Sequence, residues 1–180
     1  MQRFIAFIQL VTILTVLWLA VWLISAALLP PAILRPYFSR LFAERVGEFT
    51  AGRILLANLA PFLGVQFMNL FRVGRRSGGL YVLPLYWITY GVLLGTNSFV
   101  FAGPPVTFSL SVLWTRVGYT ELLAYTAGYE ATRNWAVWQQ ASLWARPKRL
   151  ASRWKTQASD WVYWGLGLLL LGLAALREVQ

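Results

Sequence analysis

A chain of 180 residues that is 58% hydrophobic and 12% charged, with mean hydropathy +0.58, is too apolar for a water-soluble domain, where about a quarter of residues carry charge. It reads as a single integral membrane domain with no room for a further soluble one. With no cysteine and no histidine, it lacks disulfides, thiol nucleophiles, thiolate metal sites and the commonest general base, while its net charge of +10 asks for an anionic partner.

Phe4 to Leu29 is apolar almost without a break, relieved mainly by Gln9, Thr12 and Thr15, and it exceeds the roughly 20 residues needed to cross a bilayer. That run is longer than the core of a cleavable leader, which predicts a retained first span at 4–29, ended by Pro30-Pro31. Residues 32–53 mix Ile33, Tyr37, Leu41 and Val46 with Arg35, Arg40, Glu44, Arg45 and Glu48. They read either as an amphipathic helix lying in the interface or as a polar connector. A second span at 54–71 carries Asn58, Pro61, Gly64, Gln66 and Asn69. Amides at membrane depth need partners within the protein, so this helix is expected to be kinked and surrounded by others. Arg72, Arg75 and Arg76, with Ser77-Gly78-Gly79, make a tight basic turn. A third span at 80–101 contains Gly91 and Gly95, a GxxxG pair that admits close helix approach, and Gly103-Pro104-Pro105 turns the chain back.

Residues 106–116 either run on into the fourth span or form a re-entrant or surface piece. The second reading sets the span at 117–138 and leaves Arg116 near an interface, where it can snorkel. Within that span Gly118, Glu121, Tyr125, Gly128 and Thr132 recur at spacings of three and four, a small and polar stripe on one helix face. The stripe is expected to meet protein, and the flank bearing Leu122, Leu123 and Ala127 to meet lipid. Beyond it, Trp135, Trp138, Trp144 and Trp154 interleave with Arg146, Lys148, Arg149, Arg153 and Lys155. That pattern predicts an interfacial segment at 141–158 resting on anionic lipid headgroups, and it argues for lipid over nucleic acid as the anionic partner. A fifth span at 160–176 has Gly165, Gly167 and Gly172 on what reads as one side. Arginine and lysine counts put the 72–76 turn, the 141–158 segment and the N-terminus in the cytoplasm, although the arginines of 32–53 oppose that orientation.

Glu121 is the strongest single candidate for chemistry, since a carboxylate within a span costs on the order of 3 kcal/mol or more. It serves as a proton or ion relay, anchors a partner helix, or makes a structural bond to an amide such as Asn58 or Asn97 or to an arginine. Arg116 stands about 140° around the helix from it, a poor intrahelical partner. Glu130 and Arg133, three apart, suit a local pair. Asn58, Gln66, Asn69 and Asn97, with Arg116, are the polar intramembrane residues, lining a path or joining helices. No phosphate-binding loop, metal site or paired catalytic carboxylates stand out.

Asn58-Leu59, then PLYWITYGVLLG from Pro84 to Gly95, then Gly118-Tyr119-Thr120-Glu121-Leu122 followed by Ala124 and Gly128 resemble the stage II sporulation protein M family of integral membrane proteins. The resemblance covers about residues 54–135 and is specific at Gly91, Gly95, Gly118 and Glu121. It departs at Tyr90, where the family has asparagine, and at Val117, where it has histidine. It implies a five- or six-helix membrane protein. The sporulating members are similar to scaffolds recruiting wall-remodelling proteins, and others look like permease-type partners of transport operons.

The chain is therefore expected to be an all-α, polytopic bundle of about five transmembrane helices with interfacial amphipathic helices, in the inner membrane. Its expected role is that of a non-catalytic scaffold or accessory subunit. Gly91, Gly95, Gly118, Glu121, Tyr125 and Gly128 would pack helices or dock partner membrane proteins or a second copy. A transporter or channel component with Glu121 in its path is the alternative, and a pigment- or quinone-binding subunit a further one. No metal or obligatory cofactor is expected, and lipid, quinone or pigment are the molecules such a surface would hold.

Overall fold

The computed structural model describes residues 1–36, 50–98, 108, 117–142, 144–150 and 156–178. Its helices are α1 (Gln2–Leu28), α2 (Ala51–Asn69), α3 (Gly79–Gly95), α4 (Val117–Thr132) and α5 (Ala158–Glu178), and its strands are β1 (Phe71–Val73), β2 (Arg76–Ser77), β3 (Trp138–Gln140) and β4 (Lys148–Arg149). Among the described residues three helices, α1, α2 and α5, are long and apolar enough to cross a membrane, and α3 is apolar but shorter.

The termini of these helices follow from local chemistry. Leu29, ahead of Pro30-Pro31, leaves α1 in an extended conformation. The Thr50 side chain accepts from the backbone N–H of Arg53 at the start of α2. Helix α2 runs on through Pro61 and α3 through Pro84. The span expected to reach residue 101 ends instead at Gly95, the last residue of α3, and Asn97 beyond it takes a left-handed conformation (φ 49°) that asparagine tolerates better than most residues. The span expected to reach 138 stops at Thr132, the end of α4. The expected interfacial helices at 32–53 and 141–158 lie partly outside the described residues. Within the second, the chain forms strand β4 instead of a helix.

The described chain is mainly helical, as an all-α fold requires, and adds a small sheet of short strands in the order β2-β1-β3-β4. β1 and β2 form a hairpin with Val73 opposite Arg76, so Gly74 and Arg75 make a two-residue turn, and Gly74 takes φ 60°, as primed hairpin turns require. β3 joins β1 in parallel, Phe71 opposite Trp138, and β4 closes the edge antiparallel. The sheet caps one end of the bundle, between the C-termini of α2 and α4 and the N-terminus of α3.

Glycines decide how the helices meet. A Cβ on Gly91 would fall 2.9 Å from Val21 Cγ1, and one on Gly95 2.5 Å from the Trp22 carbonyl, so α1 and α3 touch backbone to backbone. On the other side, the Phe62 ring of α2 fills a notch formed by Gly128 of α4 and Gly167 of α5, where a methyl on either glycine would lie 2.6 or 2.7 Å from the ring edge. Around these contacts Trp18, Trp22 and Trp87 are wholly buried, with Trp18 5.8 Å from Trp22 and 6.4 Å from Trp87 between ring centres. Helix α4 is the interior pillar. The expectation that Leu122, Leu123 and Ala127 meet lipid fails for Leu122 and Ala127, which are fully buried against α5 and the other helices, while Leu123 is half-buried. Gly95→Leu is therefore expected to push α1 from α3 and cost about 1–3 kcal/mol, read as earlier unfolding in a detergent denaturation series. Unchanged unfolding would contradict this packing.

Candidate functional site

Glu121 sits one turn into α4, 3% exposed, and both carboxylate oxygens are engaged. Asn58 of α2 donates its side-chain N–H to Oε1, and the Tyr90 hydroxyl of α3 donates to Oε2 at 2.5 Å. Tyr125, one turn along α4, donates its hydroxyl to Asn58 Oδ1 at 3.1 Å, so Asn58 is used on both ends. Tyr86 packs against Tyr125 with ring centres 5.5 Å apart. This closed network joins three helices through one carboxylate, and the hydrogen bonds offset much of the cost of burying it.

A second polar knot lies at the sheet end. Asn69 donates to the Tyr129 carbonyl at 3.0 Å and to Thr132 Oγ1 at 2.8 Å, and its Oδ1 accepts from Gly79 N–H at 3.1 Å. One side chain thus ties the C-termini of α2 and α4 to the start of α3. A side chain at position 79 would collide with Asn69 Oδ1. Gln66 accepts from Trp164 Nε1 at 3.0 Å, binding α2 to α5.

The third knot centres on Arg3, which has no mark of function in the sequence. Its guanidinium donates to Asp160 Oδ1 at 2.5 Å, to Ser159 Oγ at 2.6 Å and to the Glu130 carbonyl, with Glu130 Oε2 3.6 Å from Nε. It also lies 5.1 Å from the centre of the Tyr163 ring. Glu130 in turn takes Arg133 at 3.0 Å, the pair expected from their spacing. The one available signal for Arg3 is its place as the cation at the mouth of a long uncharged span, at the level of the Asp160 that starts α5.

The remaining candidates divide. Gly118 abuts Tyr90, with a methyl there 2.8 Å from its ring, so all six glycine, glutamate and tyrosine positions marked for packing or docking are used within the chain. The face of that stripe packs against α2 and α3. Asn97 turns the chain after α3, and of the two amides weighed as partners for Glu121 it is Asn58 that bonds to it. Of the headgroup candidates, Trp135 is half-buried and Trp138 37% exposed on β3, while Arg146, Lys148 and Arg149 are exposed on or beside β4. Arg116, Arg153, Trp154 and Lys155 fall outside the described residues. The glycines of α5 do not share a side: Gly167 faces Phe62, whereas Gly165 and Gly172 face open space, as a 100° step per residue requires. Among the described residues no group of three acidic side chains could hold a metal.

No protein-family model, curated protein or solved structure matches this chain.

Arg3→Gln leaves Glu130 and Asp160 buried with less compensation and is expected to destabilise the fold by about 3–5 kcal/mol. Arg3→Lys recovers only part, because an ammonium cannot fork between α4 and α5. Equilibrium unfolding in detergent checks both, and wild-type stability of Arg3→Gln would contradict the clamp.

Proposed function

We propose that the chain is a non-catalytic scaffold or accessory subunit of a larger membrane assembly, a five-helix protein of the inner membrane with its N-terminus in the cytoplasm. The observation that carries this reading is the closed bonding of Glu121: a relay carboxylate needs a free acceptor or a wet path, and here Asn58 and Tyr90 take both oxygens. The stage II sporulation protein M resemblance favours the same role, and its Asn58 and Glu121 are bonding partners. The inward glycines are each occupied by a side chain or backbone of this chain, which speaks against a slot for a flat pigment or quinone. For orientation, Arg72, Arg75, Arg76, Arg133, Arg146, Lys148 and Arg149 gather at the end that also holds Arg3, favouring the cytoplasm there.

The surface available to a partner helix is the outward side of α5. Gly165 and Gly172, seven residues apart, open a shallow groove beside exposed Trp161, Val162, Leu169 and Leu176, and small residues facing hydrocarbon let a second helix approach. Mild-detergent purification followed by mass spectrometry is expected to recover an integral membrane partner with the wild type and with Glu121→Gln, and to lose it with Gly165→Leu/Gly172→Leu at unchanged melting temperature. A chain purified alone would contradict the scaffold role. Ion or solute flux in proteoliposomes that is abolished by Glu121→Gln would favour the transporter reading.

A further inference from the structure

At the sheet end of the bundle a cleft of about 200 Å³ opens between the β1–β2 hairpin and the C-terminus of α4, lined among others by Arg72, Arg75, Arg76, Ser77, Tyr129 and Arg133. Its charge is unbalanced. Arg133 pairs with Glu130, but among the described residues no carboxylate pairs with Arg72, Arg75 or Arg76. Like charges gathered without counter-ions repel one another and gain from an anion between them.

Two buried donors in the same place lack hydrogen bonds. Ser77 is 6% exposed and its Oγ is unpartnered, the Tyr129 hydroxyl lying near it without making a bond of normal geometry. Arg72 Nε is buried and also makes no hydrogen bond. Arg72 and Ser77 are opposite each other across the hairpin, so their side chains leave the same face together. Buried donors without acceptors are uncommon and mark a missing partner. Arg72 Nε can only donate, so the missing partner is an acceptor, and the surrounding arginines favour an anion.

We propose that this cleft binds a phosphate group, presented by an anionic phospholipid headgroup or by a small soluble phosphate. Guanidinium forks match the tetrahedral oxygens bidentately, and a serine hydroxyl supplies one further donor. The volume holds about six or seven waters' worth of atoms at about 30 Å³ each, enough for a phosphate and a short substituent but below the range of pockets that enclose larger organic cofactors. Basic pockets at the cytoplasmic ends of helices are the usual seats of anionic headgroups, and Leu80 adds an apolar wall where a lipid's glycerol would pass. This proposal does not depend on the scaffold reading.

The test uses the full chain, delipidated in neutral detergent. Native mass spectrometry measures retention of phosphatidylglycerol against phosphatidylcholine, and thermal shift measures inorganic phosphate and pyrophosphate. Selective retention of phosphatidylglycerol identifies the lipid source, while stabilisation by submillimolar phosphate or pyrophosphate that displaces the lipid identifies the soluble one. Either supports the site if Arg75→Gln/Arg76→Gln, both exposed positions, lowers binding tenfold or more and Ser77→Ala lowers it several-fold. Arg53→Gln/Arg177→Gln removes the same charge from exposed positions at the opposite end of the bundle and should leave binding within about twofold. Equal losses from the two arginine pairs would mean surface charge alone and overturn the proposal, as would phosphatidylglycerol retained no better than phosphatidylcholine together with no stabilisation by phosphate or pyrophosphate.

Discussion

The structure depends on one constraint: a carboxylate placed inside an apolar bundle must find its partners within the chain. Glu121 finds them on two other helices, through Asn58 and Tyr90, and this sets the rotation of α4 about its axis and its depth against α2 and α3. Tyr125, Gly128 and Thr132 then follow onto the same face by helical periodicity. The Phe62 notch and the Asn69 knot are formed from what that face presents. A rotation of α4 by one residue would carry Glu121 away from both donors and press Gly128's neighbours into Phe62.

The three polar knots have distinct places. Glu121 lies within the bundle, while Asn69 and Arg3 lie toward the sheet. Arg3 is the knot built on ion pairs, and these draw together α1, α4 and α5 at the sheet end. Between the knots the packing is carried by glycine contacts and by tryptophans. Trp18, Trp22 and Trp87 act as core residues, in contrast to Trp138 and Trp144 on the surface.

Much of the helical arrangement is legible because its signals are periodic. The runs forming α1, α2 and α5 exceed or approach the length of a bilayer, and the Gly118–Thr132 stripe announces a face turned to protein. Asn58 is among the partners that the sequence offers for Glu121, and the Glu130–Arg133 pair is readable from its spacing of three. What stays illegible is non-local or too short to have a period. Strands of two or three residues carry no alternation to detect, and the parallel pairing of Phe71 with Trp138 joins positions far apart in sequence. The basic and tryptophan-rich composition at 141–158 suggests a helix on lipid, but β4 there gains its hydrogen bonds from β3, which already pairs with β1. The far flank of α4 is misleading because a stripe shows which side is polar and says nothing about whether the other side is covered. Only the contacts of α5 decide that. The one signal for Arg3 is its place at the start of an uncharged run, which does not name its partners: Glu130 and Asp160 lie more than a hundred residues away.

The bundle stands on Glu121 of α4 and Asn58 of α2 being direct partners. A double-mutant cycle on Asn58→Ala and Glu121→Ala, with unfolding free energies measured in one detergent, reads that contact without regard to function. The predicted coupling energy between the two sites is about 1–3 kcal/mol. Additive losses, with coupling near zero, would contradict it.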